Sequence, residues 1–349
     1  MTFINYPIII RQAWAAFDPS RSVQEVDDIS ALVSTNHVFR ITLDGGDRVI
    51  AKLSFFGKFE QFKDDHRIIH ALANNLLYPF ENVLAKSLMK NGQVFIYRHQ
   101  DGPVDAWVVF YNPIRTLDRL PRRLDETDIR RLGAEMARFH LACARASSVL
   151  PKYAKTLRSD IQGLLDLLNT EAGQAEHHAH ADVIRHHCQL FLENRQKLVA
   201  KTVETMPVFV DWNIGNFSVT DDLKLFSRWD YDWFRISYRV LDFYFFSRVC
   251  SDAGDRTVFS YYIGPLAEER FGWFLEEYHQ IYPLTEREIR FLPEAYRFFI
   301  LNYVIKYGRY FFNDTYAAQL QHDAYTIHLP SIEHFSVDPI LARLGLNTA

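Results

Sequence analysis

In the stretch VFVDWNIGNFSVTDDLKLFSRWDYDWFRISYRVLDFYFF (208–246), two short apolar runs each end in an aspartate, Asp211 and Asp230. Asn216 stands five residues after Asp211, and Asp230 fourteen residues after Asn216. A carboxylate at a strand end, presented on a loop, can orient or deprotonate a substrate hydroxyl. An amide oxygen and a second carboxylate suit a hard cation such as magnesium, which takes few protein oxygens and completes its shell with water and phosphate. Taken singly, each is an ordinary turn residue. As an ordered set on strand ends and loops, they form the layout of magnesium-dependent phosphoryl transfer. The layout predicts Asp211 as the catalytic residue and Asn216 and Asp230 as the metal-binding residues.

Working outward, the upstream third reads as sheet. HVFRITL (37–43) alternates into the turn Asp44-Gly45-Gly46-Asp47, and RVIAKLSF (48–55) returns. A helix is predicted from about Lys58 to Asn75, with Phe62, Ile68, Ile69 and Leu72 at helical spacing. ENVLAKSLM (81–89), QVFIYRH (93–99) and AWVVFYN (106–112) read as further strands, separated by turns at Asn91-Gly92 and Asp101-Gly102-Pro103. Residues 1–28 read as a helix around Ile9 to Phe17 followed by a polar connection. After Asn112-Pro113 the pattern turns helical. ETDIRRLGAEMARFHLACARA (126–146) lines up Leu132, Met136, Phe139 and Cys143 on one side. The expected fold class is therefore α+β, with a sheet-rich N-lobe over 1–112 and a helical C-lobe over 113–349.

Lys52 lies inside an apolar strand. Its stem can pack on the sheet while its ammonium reaches water, or it can hold nucleotide phosphates with a carboxylate partner from the following helix. Asp64, Asp65 and Glu60 are the candidate partners. The turn containing Ser34 and Asn36 can offer backbone N–H groups to phosphates, although it lacks a glycine-rich fingerprint.

Composition narrows the class. The 349 residues are 48% hydrophobic and 15% aromatic, which fits a globular chain with a substantial core. A net charge of -4 gives no basic excess that would make nucleic acid the main partner. Cys143, Cys188 and Cys250 have no paired spacing and suit a reducing compartment. No apolar segment reaches membrane length free of charges, and the N-terminus lacks a signal-peptide pattern. A cytoplasmic protein without a membrane span is the expectation. His178, Asp182 and His186 would share a helix face in AEHHAHADVIRHHCQLF (175–191). That geometry suits a transition metal, but a solvated helix surface is the ordinary explanation of such a face, and no site is assigned there.

These residues resemble the aminoglycoside phosphotransferase and choline kinase family, which has a protein-kinase-like fold. Its catalytic loop, H-G-D-x-x-x-x-N, is matched from Asp211 to Asn216. Its following I-D-F or I-D-W is matched by Trp229-Asp230-Tyr231. A later aspartate is matched by Asp242 in Leu241-Asp242-Phe243. RLGAEMARFH (131–140) resembles L-G-x-x-L-A-x-L-H, and NHVFRITLDGGDRVIAKLS (36–54) resembles the family's first hairpin, with Lys52 at its ATP lysine. The likeness covers about residues 30–250.

It implies a two-lobe kinase-like fold, ATP and Mg as cofactors, and transfer of the γ-phosphoryl group to a hydroxyl of a small molecule. Lys52 would hold the α/β-phosphates with Asp65 as its helix partner, Asp65 being the best match to the family's E-x-x-x-L-x-x-L spacing. The sequence departs from the family in two places. Phe209 replaces the catalytic-loop histidine, and an aspartate replaces the helix glutamate. Both departures also suit a nucleotide-binding protein that is catalytically silent, and a binding protein with a chance motif is the remaining alternative.

Overall fold

The computed structural model describes residues 4–30, 37–55, 57–102, 104–117, 120–121, 123–200, 202–253 and 260–346. Its N-terminal part is a five-stranded antiparallel sheet in the order β1-β2-β3-β7-β6. These strands are β1 (Val23–Asp28), β2 (His37–Leu43), β3 (Arg48–Ser54), β6 (Ile96–Asp101) and β7 (Val104–Tyr111), and the small hairpin β4 (Met89–Lys90) and β5 (Gln93–Val94) stands apart. Alternation along β3 and β7 splits the sheet into two faces. Val49, Ala51, Leu53, Ala106, Val108 and Phe110 pack with Ile9, Ile10, Ala13 and Trp14 of helix α1 (Tyr6–Phe17). On the other face, Trp107, Val109 and Tyr111 join Phe62, Ile69 and Leu72 of helix α2 (Phe59–Asn75). This second cluster continues without a break into the helical C-terminal part.

Three expectations are corrected. The polar connection before residue 28 contains β1, which pairs with β2. It is an edge strand, its VQEVDD residues only half-buried or exposed, so no apolar alternation announces it. The segment 81–89 is not a strand of the sheet. It makes single bridges in two directions, Leu84 to Arg228 and Ser87 to Tyr111, and only Met89 joins a short hairpin. It tethers the sheet to the site-bearing strands below. QVFIYRH is likewise broken at Phe95 into β5 and β6.

The C-terminal part is built from α3 (Glu126–Ala146), α4 (Leu157–Leu167), α5 (Glu171–His177), α6 (Ala181–Leu198), α7 (Phe243–Cys250), α8 (Glu269–Ile281) and the helices that follow. Two short hairpin pairings sit among them: β8 (Met206–Val208) with β11 (Arg235–Ser237), and β9 (Phe217–Val219) with β10 (Leu225–Arg228). Helix α3 has the predicted bounds. Asp125 caps it through the Asp128 N–H at 2.8 Å, and its apolar stripe is buried. Residues Ile300–Lys306 and Ala324–His328 are π-helical. Cys143, Cys188 and Cys250 are buried and unbridged. No helix among the described residues is long and apolar enough to cross a membrane.

Gly133 shows how closely α3 meets α8. A Cβ placed there would come 2.3 Å from the Phe274 carbonyl oxygen, which is backbone and cannot rotate away. Gly133→Ala is therefore expected to destabilise the protein by about 1–3 kcal/mol through overpacking, despite alanine's better helix propensity. The midpoint of urea unfolding measures this, and an unchanged midpoint would contradict the close-packing argument.

Candidate active site

Strand β8 delivers the chain into the loop 209–216 through an unusual turn. The Asp211 N–H donates to the Phe209 carbonyl at 2.7 Å, which places Val210 at φ 62. A β-branched residue is seldom found there, and such a conformation costs about 1–3 kcal/mol unless its surroundings enforce it. Asp242 enforces it. Its Oδ1 accepts from the Phe209 N–H at 3.0 Å and the Val210 N–H at 2.6 Å. Its Oδ2 lies 3.0 Å from His140 Nε2, and His140 Nδ1 lies 2.7 Å from the Tyr278 hydroxyl. A carboxylate only accepts, so the Nε2 hydrogen of His140 points at Asp242. All three side chains are buried. A chain of hydrogen bonds thus runs from α8 through α3 to the backbone that presents Asp211.

Arg228, at the end of β10, joins this loop to the next one. Its guanidinium donates to the carbonyls of Asp211 at 2.9 Å, Asn216 at 3.2 Å and Trp229 at 2.6 Å. Its carbon lies 4.9 Å from the Phe209 ring centre and 4.6 Å from that of Trp212. The Trp229 N–H donates to the Asn216 carbonyl at 3.0 Å, so Asn216 and Asp230 sit on adjoining segments. The Asn216 amide nitrogen faces the Asp211 carbonyl at 3.4 Å, which turns its oxygen the other way. Asp211 also accepts from the Asn213 amide. One amide oxygen beside one carboxylate is a donor set that fits a hard divalent cation.

Lys52 comes to this place from the sheet. It is flanked by Val38 on β2 and Val109 on β7, and is 5% exposed. Its Nζ lies 2.8 Å from Asp230 Oδ1 and 2.7 Å from Asp232 Oδ1. Asp230 has φ 64, and the Asp232 N–H points back to its Oδ1 at 3.3 Å, so the turn aims both carboxylates at one ammonium. Burial works against the charge on Lys52, but the two carboxylates hold it above the ordinary lysine range. Burial likewise works to raise Asp230, yet the Lys52 charge and hydrogen bond, with Arg228 behind, bring it below the usual carboxylate range. Burial pushes Asp232 up to about 6, with Lys52 opposing and Asp230 adding to the rise.

Lys52, Asp230, Asn216 and Asp211 are thus brought together, but Asp65 is not Lys52's partner. It faces Lys155 and accepts a hydrogen bond from Tyr153, and burial raises it to about 6 against those two. Asp64 pairs at the surface with Arg67 at 3.3 Å, and Glu60 is exposed. The reason is helix register. A shift of one residue turns a side chain by about 100°, so α2 turns His66 towards Lys52 and its neighbour Asp65 towards Tyr153 and Lys155. His66 is buried, with Nδ1 2.9 Å from the Phe62 carbonyl and Nε2 2.6 Å from the Tyr111 hydroxyl. Burial lowers it to about 3, the Phe62 bond opposes this, and the nearby Lys52 charge adds to the fall. Ser34 and Asn36 lie outside the described residues.

The motif reading gave no role to Arg228, nor to His140, the last residue of RLGAEMARFH. A basic residue at the end of an apolar strand, and a histidine inside an amphipathic helix, were the signals present. In the histidine-rich segment, His177 Nδ1 lies 2.9 Å from the Tyr325 hydroxyl and His187 contacts Arg297. Among the described residues no group of three His, Cys, Asp or Glu side chains could hold a metal.

No protein-family model matches the sequence, and no curated protein matches it in sequence. Solved structures match in fold over nearly the whole chain. An amicoumacin kinase, in complex with AMP-PNP and Ca²⁺, superposes with a TM-score of 0.62 at 14% identity, covering 96% of each chain. A microcompartment-associated aminopropanol kinase gives 0.61 at 14% identity, covering 98% of this chain and 99% of its own. A macrolide 2'-phosphotransferase type I gives 0.55 at 12% identity, covering 94% and 100%. The chain has the two-lobe, protein-kinase-like fold of these phosphotransferases.

Two outcomes follow from this geometry. Asp242→Ala removes the acceptor of two buried N–H groups, one of them on the strained Val210, and of His140, and is expected to cost about 2–5 kcal/mol of stability. Chemical denaturation checks it, and a loss within about 0.5 kcal/mol, as for a surface change, would contradict the bracing role. His66 is held neutral in the fold, whereas in the unfolded chain it protonates below about 6.5. The unfolded state therefore binds more protons, and stability drops as pH falls from about 6.5 towards 3. His66→Gln should flatten this acid limb by a few kcal/mol, read from unfolding midpoints across that range.

Proposed function

We propose that this protein is an ATP-dependent phosphotransferase that moves the γ-phosphoryl group of ATP to a hydroxyl of a small molecule. The observation that carries the reading is the meeting of Lys52 with Asp230 at 2.8 Å, across 178 residues of sequence, beside the loop that presents Asp211 and Asn216. The likeness of fold to small-molecule kinases supports it. In this reading residues 1–112 and 113–349 are the two lobes, and nucleotide lies between them. Lys52 binds the phosphates of ATP, with Ser34 and Asn36 of the first turn proposed as further contacts from the sequence. Asn216 and Asp230 would hold magnesium, which neutralises the phosphate charge when bound. Asp211 orients the acceptor hydroxyl and takes its proton as the phosphoryl group leaves ATP in line. Arg228 and Asp242 keep the backbone of Asp211 and Asn216 in register with Asp230. The chain is proposed to work in the cytoplasm on a diffusible substrate, with neither nucleic acid nor membrane as main partner.

A second reading has its own support. Phe209 replaces the loop histidine, and Lys52 is closed off by two carboxylates. Both features suit a nucleotide binder that performs no chemistry.

Two variants separate the roles. Asp211→Ala is expected to leave Mg·ATP affinity within about twofold while cutting turnover by roughly 10²–10⁴-fold. Asp230→Ala is expected to lose both magnesium-dependent nucleotide binding and turnover. Calorimetry gives the affinities, and ADP release over a panel of amino alcohols, sugars and hydroxylated antibiotics gives turnover. Full turnover by Asp211→Ala would overturn the mechanism. Tight Mg·ATP binding with no ADP release on any acceptor would favour the silent nucleotide binder.

A further inference from the structure

We infer that Asp232 is the permanent counter-ion of Lys52, a positioning residue that performs from the loop after β10 the task that a carboxylate on α2 performs in the kinase layout. The inference rests on the phosphotransferase reading of the site. Three observations carry it. First, α2 supplies no acid to Lys52. Asp65 faces Tyr153 and Lys155, Asp64 pairs with Arg67, Glu60 is exposed, and the face nearest Lys52 carries His66, committed to Phe62 and Tyr111. Second, the Lys52 ammonium lies 2.7 Å from Asp232 and 2.8 Å from Asp230, so two acids share one cation. Third, the two acids differ in exposure. The Asp232 side chain is 8% exposed and that of Asp230 is 41% exposed. A divalent cation arriving in the cleft meets Asp230 on its open side, next to Asn216. Asp232 then remains on Lys52, and the buried ammonium keeps a neutralising partner while it contacts phosphate. One acid is released to the metal and one is retained by the lysine.

This arrangement has a consequence for control. Where the lysine's partner sits on a helix, a swing of that helix switches the site. Here both partners of Lys52 belong to one three-residue turn, 230–232, so the lysine is set by that turn and not by the position of α2.

A double-mutant cycle on Mg·ATP affinity tests the inference. Asp232→Asn is expected to weaken Mg·ATP binding about tenfold in the wild-type background and less than twofold in the Lys52→Met background. The magnesium concentration for half-maximal ATP binding should not change. Asp64→Asn, on the outer surface of α2, is the control and should bind as wild type. Equal losses in both backgrounds, or a raised magnesium requirement, would make Asp232 a metal ligand and overturn the inference. So would a loss of nucleotide affinity in Asp65→Asn with none in Asp232→Asn. If Asp232→Asn fails to fold, Asp232→Ser enters the same cycle with the same expectations. Wild-type protein that binds no Mg·ATP defeats the phosphotransferase reading itself. Wild-type binding matched by Asp232→Asn defeats only the counter-ion assignment.

Discussion

A lysine that is only 5% exposed keeps its ammonium charged only if opposite charge reaches it, and Lys52 obtains that charge from Asp230 and Asp232. Much of the site geometry depends on this requirement. The lysine comes from the middle of the sheet and the acids from the end of a short strand in the helical part, so the pairing ties the two parts together at the cleft. It also explains the backbone of the acidic turn. With Asp230 at φ 64, two acids two residues apart both reach the same ammonium. The strain of that turn is local, and the ion pairs and the Asp232 N–H contact hold it in place.

The loop that presents Asp211 is braced by the same kind of compensation. Val210 sits at φ 62, and two adjacent N–H groups would be buried without partners if Asp242 did not accept them. Asp242 in turn is satisfied by His140, and His140 by Tyr278. The loop histidine of the family pattern is absent. Phe209 fills its place by packing against Phe139, Trp212, Tyr231 and Phe234, with the Arg228 guanidinium over its ring. Arg228 then gathers the carbonyls of Asp211, Asn216 and Trp229. The C-terminal third reaches the same region. Tyr303, in the π-helical segment, stacks on Trp233 with ring centres 4.5 Å apart, beside the acidic turn.

Residues of this site were unequally legible. Asp211, Asn216, Asp230 and Lys52 could be picked out because each sits at a strand end or in an apolar strand, where a polar residue has few ordinary reasons to be. Arg228 and His140 sit in segments whose pattern already has an explanation, a short apolar strand and an amphipathic helix, so their signals point to no role in the site. β1 was hidden because an edge strand whose residues are only half-buried or exposed carries no clean alternation. The segment 81–89 looked like a strand because it is apolar and extended, yet its hydrogen bonds go to two different neighbours.

By itself, the amino-acid sequence determined the features that depend on near neighbours along the chain. These include the bounds of α3, the glycine turn between β2 and β3, the α+β order of sheet then helices, and the order of the chemistry-bearing residues. Helical and strand periodicity and capping act over a few residues, so they can be read without coordinates. Tertiary structure alone decided which acid meets Lys52. The choice between Asp65 and Asp232 turned on how α2 is rotated against the sheet and on a contact spanning 178 residues for the neighbouring Asp230. A helix docks by the packing of its whole apolar face, here Phe62, Ile68, Ile69 and Leu72 with His66 among them. That packing set the direction of every other side chain on α2.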